Sequence, residues 1–161
     1  MVFELPNWEK IVVPQRHRTG CVPTGYEWIF RYLDIKDINY GTFQEDFDLQ
    51  LVQEGMNNFQ DVAKKVRARY PQVNINIKGF DTGEEKIEFV TQLISRAVPC
   101  LMSITLLPTG GDWHIVPVVS IDETKIKVIW TANQVTELAK TDVINRHNNW
   151  PGGKDISWIE I

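Results

Sequence analysis

An α+β fold is predicted, with helices from the first part of the chain packed on an antiparallel sheet from the second. Two observations carry this. Val22, Tyr26, Ile29, Phe30 and Leu33 fall at offsets 0, 4, 7, 8 and 11, one face of a helix. From Cys100 onward the apolar runs are short, β-compatible and separated by turn residues. Helical patterns followed by strand patterns indicate α+β rather than a doubly wound α/β sheet. A chain of 161 residues is most simply one domain, residues 1–161, large enough to bury a core.

The elements follow in order. Ile11-Val12-Val13 is expected to form a short strand ended by Pro14, and Gln15 to Gly20 is polar and reads as loop. A helix from Cys21 to about Leu33 tolerates Pro23 only because it lies in the first turn, where backbone N–H groups lack partners anyway. Asp34 to Gly55 shows no clean period. Asn58 to Tyr70 is a helix with Phe59, Val62, Ala63, Val66 and Tyr70 on one face, Asn57 or Asn58 as cap and Pro71 after its end.

Val73 to Ile77 alternates as a strand. Thr82 and Glu85 form a capping-box pattern before a helix to about Ala97, with Ile87, Val90, Leu93, Ile94 and Ala97 inward. Strands are expected at Cys100–Leu107, Trp113–Ile121 and Lys125–Trp130, with turns at Pro108–Asp112 and Asp122–Thr124. A short helix after Thr141, a break at Pro151-Gly-Gly153 and a last strand from Ile156 to Ile161 complete the chain.

Composition narrows the function. Charged residues make up 24% and the net charge is −4, with no basic run, which argues against a nucleic-acid partner. The longest stretch without charge, Ala97 to Gly111, contains Pro99, Pro108 and two glycines and is no membrane span. Met1 to Trp8 lacks a signal-peptide pattern, so a reducing cytoplasm is the expected compartment. Two cysteines 79 positions apart make no disulfide framework, and the absence of CxxC and HExxH patterns leaves no metal motif. No cofactor is expected.

The chemistry concentrates in Gln15 to Thr24, QRHRTGCVPT. Cys21 opens a helix, where unpaired N–H groups and the positive end of the macrodipole favour a thiolate. A nucleophilic thiol needs a base, and His114 begins an apolar strand after a turn, a rigid position from which it can face the helix tip. His17 and His147 lie in polar stretches and read as solvated. The Gln15 side-chain amide and the Cys21 backbone N–H can donate to an oxyanion. Trp113, beside His114, can wall a substrate site. Cys100 reads as core, and Glu45, Asp46 and Asp48 read as solvated surface.

The pattern Val13-Pro14-Gln15, five residues, then Cys21-Val22-Pro23-Thr24 resembles papain-like cysteine peptidases, nearest to the bacteriocin-processing branch that cuts double-glycine leaders. That branch carries Gly-Cys-Gly-Pro-Thr where this chain has Gly20-Cys21-Val22-Pro23-Thr24. Arg96 to Ser103 and His114 to Asp122 are similar to its later strands. The resemblance implies a papain-like fold, a Cys–His thiolate–imidazolium pair, an acyl-enzyme, a peptide or protein substrate and a preference for small residues before the cut.

Such peptidases place an Asp or Asn at the end of the strand after the His strand. Here Trp130 and Thr131 stand sixteen and seventeen positions after His114. Asn133 follows and can orient the imidazole as an amide; Gln134 and Asp122 are the other candidates. The same residues would also serve an acyltransferase or transglutaminase-like enzyme, or remain in a degenerate peptidase that binds peptides. The plainest alternative is a structural domain without a site.

Overall fold

The computed structural model describes residues 1–18, 20–48, 59–130 and 134–160. Its centre is an antiparallel sheet of seven strands: β1 (Phe3–Glu4), β2 (Ile75–Gly79), β3 (Cys100–Leu107), β4 (Gly110–Ile121), β5 (Lys125–Ile129), β6 (Val135–Ala139) and β7 (Asp155–Ile159). The order across the sheet is β2-β7-β3-β4-β5-β6, with β1 pairing to the far end of β4 through Phe3 and Ile121. The helices are α1 (Cys21–Tyr32), α2 (Phe43–Phe47), α3 (Phe59–Arg69), α4 (Gly83–Ser95) and α5 (Lys140–Asn149).

β3 is buried without interruption from Cys100 to Thr105, so both its faces are covered. Leu101 meets α1, where Gly25 allows such close approach that an added Cβ would lie 2.9 Å from a Leu101 methyl. Val22, Tyr26, Ile29 and Phe30 fill the buried side of α1, as their spacing required. The hydrogen bond from the Glu85 N–H to the Thr82 hydroxyl caps α4. Ile87, Val90, Leu93 and Ile94 of α4 are buried in the same core.

Several expectations need correction. Ile11 to Val13 is not a strand; the N-terminal strand is Phe3–Glu4. Ala97 does not face inward. It is exposed at φ 56°, one residue past the Arg96 cap, while the Val98 N–H donates to the Leu93 carbonyl at 2.9 Å and the Ala97 N–H to that of Ile94 at 3.0 Å. These two bonds close the end of α4, and they require the left-handed residue. The strand expected at Val73 starts at Ile75, and the turn expected to run to Asp112 yields to β4 at Gly110.

His147 is not solvated: it is 1% exposed on α5, with Nε2 against the Phe80 carbonyl, and burial pushes it down to about 4. Asp48 is fully buried, because α2 packs beside α1 and α3 and carries its end inward. Glu45 pairs with Arg16 and His17. The expected caps Asn57 and Asn58 lie outside the described residues.

Candidate active site at the start of α1

Cys21 is the first residue of α1, with Gly20 as its cap. Three backbone N–H groups turn toward its sulfur, those of Ile115, Val22 and Cys21 itself, and each favours the thiolate. Burial outweighs them, and the nearby Asp48 carboxylate adds to it. The thiol is therefore raised above its ordinary value. Cys100 is free as well, but it is fully buried in β3 and pushed up to about 12 by burial.

His114 lies in β4 opposite Ile104 of β3, one residue before Ile115. It is 6% exposed, and burial lowers its pKa against the opposing effect of its bond to Trp130. Its Nε2 pairs with the main-chain oxygen of Trp130, just past the end of β5. The two rings are 5.2 Å apart at 58°. No hydrogen bond joins the Cys21 thiol to the His114 ring; the thiol meets instead the amide of the residue beside it.

Gln15 shares a cavity of about 20 Å³ with Cys21, Trp28, Ile115 and Trp130. That is room for little more than one water. The Gln15 Nε2 donates to the carbonyls of His17 at 2.7 Å and Arg18 at 3.2 Å. The loop carrying Gln15 is held by Gln44 of α2, which is fully buried. Gln44 Oε1 accepts from the Arg16 N–H at 2.9 Å, and its Nε2 donates to the Pro14 carbonyl at 2.9 Å. The backbone on both sides of Gln15 is thus fixed by one side chain.

The remaining candidates lie elsewhere. Trp113 lines a separate cavity of about 140 Å³ with Phe59, Ser103 and Asp155. Asp122 closes the hairpin between β4 and β5, where its Oδ1 accepts from the N–H groups of Thr124 at 2.8 Å and Lys125 at 2.7 Å. Gln134 contributes its main-chain oxygen, which accepts from the Trp130 N–H at 2.7 Å. Asn133 is outside the described residues. Sequence reasoning missed Gln44, Asp48 and the backbone groups of Ile115 and Trp130. Backbone groups leave no mark in a sequence, and nothing local distinguishes Gln44 or Asp48 from surface residues.

Among the described residues no cluster of three or more His, Cys, Asp or Glu side chains could hold a metal ion. Among them, too, no helix is long and apolar enough to cross a membrane.

No protein-family model matches the chain, and no curated protein matches it. Solved structures do. A Bacillus anthracis protein described as a C39-like peptidase superposes with a TM-score of 0.70 at 10% identity, covering 100% of this chain and 98% of that one. A double glycine motif protease from an AMS/PCAT transporter, solved in complex with a leader peptide, superposes with a TM-score of 0.58 at 14% identity, covering 93% and 91%. Both are described as peptidases of the kind that the Cys21 segment resembles. At such identities the likeness shows the fold, which is papain-like α+β.

Proposed function

We propose that this chain is a single-domain cysteine hydrolase of peptide bonds, with Cys21 as nucleophile and His114 as its base. The observation that carries the reading is how the His114 ring is tied. A carbonyl oxygen can only accept, so the Nε2 facing Trp130 holds the proton of the neutral ring. Nδ1 is then the bare nitrogen, able to take a proton from a thiol. The neighbouring Ile115 amide faces the Cys21 sulfur, so nucleophile and base are served by adjacent positions of β4.

Burial raises the thiol and lowers the imidazole, and both shifts disfavour the thiolate–imidazolium pair expected from the sequence. The proton passes to Nδ1 as sulfur attacks the substrate carbonyl carbon and the C–S bond forms. The Cys21 N–H and the Gln15 amide hold the oxyanion, with Gln15 exchanging one of its two carbonyl contacts for it. The oxyanion collapses, the C–N bond breaks, and the amine leaves with the proton from Nδ1. Water then releases the acyl group. The substrate is a peptide or protein. The fold shared with two peptidases supports the assignment of the reaction class.

A second reading, a peptide-binding domain without turnover, is favoured by the small cavity and by the occupied donors of Gln15. Acylation by an activated ester, followed by mass spectrometry of the Cys21 peptide, separates the two. The hydrolase should acylate at Cys21 and slow by roughly 100-fold or more in His114→Ala. Equal rates in wild type and His114→Ala would sink the hydrolase.

A further inference from the structure

We infer that the main-chain carbonyl of Trp130 is the group that orients His114, in the place where the peptidases this chain resembles carry a side chain. This rests on the Cys21–His114 reading above. Trp130 stands sixteen residues after His114, at the end of the strand that follows the His strand, and its own side chain has no carboxylate or amide to offer. The backbone supplies the acceptor instead. Asp122, a carboxylate candidate from the sequence, is committed to the amides of Thr124 and Lys125 at the hairpin turn.

The carbonyl is held in place from two directions. The Trp130 N–H donates to the Gln134 oxygen at 2.7 Å, which closes the loop that follows β5. The Trp130 indole packs against the imidazole at 5.2 Å and also walls the Cys21 cavity, so it limits the access of water to the bond. A carbonyl fixes the Nε2–H tautomer as a carboxylate would. It brings no negative charge, so it stabilises an imidazolium less than a carboxylate does. Trp130 is a positioning residue: it acts on the thiol only through His114.

The test is the state of the His114 ring by 15N NMR in the intact protein. The Nε2–H tautomer is expected, with a low-field Hε2 signal. Replacing Thr131 by its α-hydroxy acid makes the Trp130 carbonyl an ester, a weaker acceptor. That change should move Hε2 upfield and slow Cys21 acylation severalfold, while Asn133→Ala should alter neither. An Nδ1–H tautomer in the wild type would overturn the inference, as would an Hε2 signal that responds to Asn133→Ala and not to the ester. If the ester protein does not fold, the wild-type and Asn133→Ala spectra decide. The ring state is read without turnover. An Nε2–H ring insensitive to Asn133→Ala therefore supports the positioning role even where acylation at Cys21 fails and the hydrolase reading falls.

Discussion

The Asp48 carboxylate lies against Gly20, the cap residue immediately before Cys21: a Cβ added to Gly20 would stand 3.1 Å from Asp48 Oδ2. A buried negative charge thus shares the helix end that favours the thiolate, and the two anions oppose each other. Asp48→Asn should therefore move the Cys21 titration to lower pH. Iodoacetamide alkylation measured against pH would show it, with a faster rate at pH 7 than in wild type. A midpoint that stays put or rises would remove Asp48 from the site's electrostatics.

Lys86 of α4 is fully buried, and its Nζ donates to the carbonyls of Ser103 at 3.0 Å and Gly153 at 2.9 Å. Burial and Lys154 push its pKa down from 10.5 to about 7, against the pull of Asp155. Between those two values the unfolded chain binds a proton that the folded chain does not, so Lys86 makes stability rise with pH from about 7 upward. Below about 7 both states are protonated and the burial cost is fully felt. Urea unfolding at pH 7 and pH 9 should show a gain with pH in wild type that Lys86→Met largely loses. An equal gain in both proteins would contradict the assignment.

Ala97 pays a steric cost at φ 56° for closing α4. Ala97→Gly removes that cost while adding freedom to the unfolded chain, and a net stabilisation of about 0.5–1 kcal/mol is expected. Chemical denaturation would report it as a higher midpoint at unchanged m-value. A lower midpoint would mean that the left-handed residue carries no strain.

Gly83 opens α4 where α5 crosses it, and a Cβ there would stand 2.7 Å from the Ile144 Cα. Backbone cannot swing aside as a side-chain tip can, so the two helices must part. Gly83→Ala should cost roughly 1–3 kcal/mol, as overpacking does. Thermal unfolding of the variant is the check, and an unchanged Tm would show that α5 shifts freely.

Much of this fold was legible because it follows from local pattern. The face of α1, the cap at Thr82 and the strands β3, β4 and β5 were all written in spacing of apolar residues and in turn chemistry. What failed was decided at a distance. Ile11 to Val13 has strand composition but pairs with no strand among the described residues, whereas two residues at Phe3 find the end of β4. β6 was not anticipated because Val135 to Ala139 is an edge strand, half exposed, and its pairing with β5 supplies the order that its composition does not. His147 and Asp48 look polar in sequence and are buried because α5 and α2 turn them toward the core.

The sequence by itself determined the helix that begins at Cys21, because periodicity and the placement of Pro23 are properties of neighbouring residues. It also determined that a buried run would begin at His114, although the strand that carries it, β4, starts four residues earlier at Gly110. Only the tertiary structure decided what those two residues meet. The amide of Ile115 at the sulfur, the carbonyl of Trp130 at the imidazole and the carboxylate of Asp48 behind Gly20 come from other segments of the chain. Two of the three are main-chain groups, which every residue carries alike. Their chemistry becomes specific only when folding gives them a place.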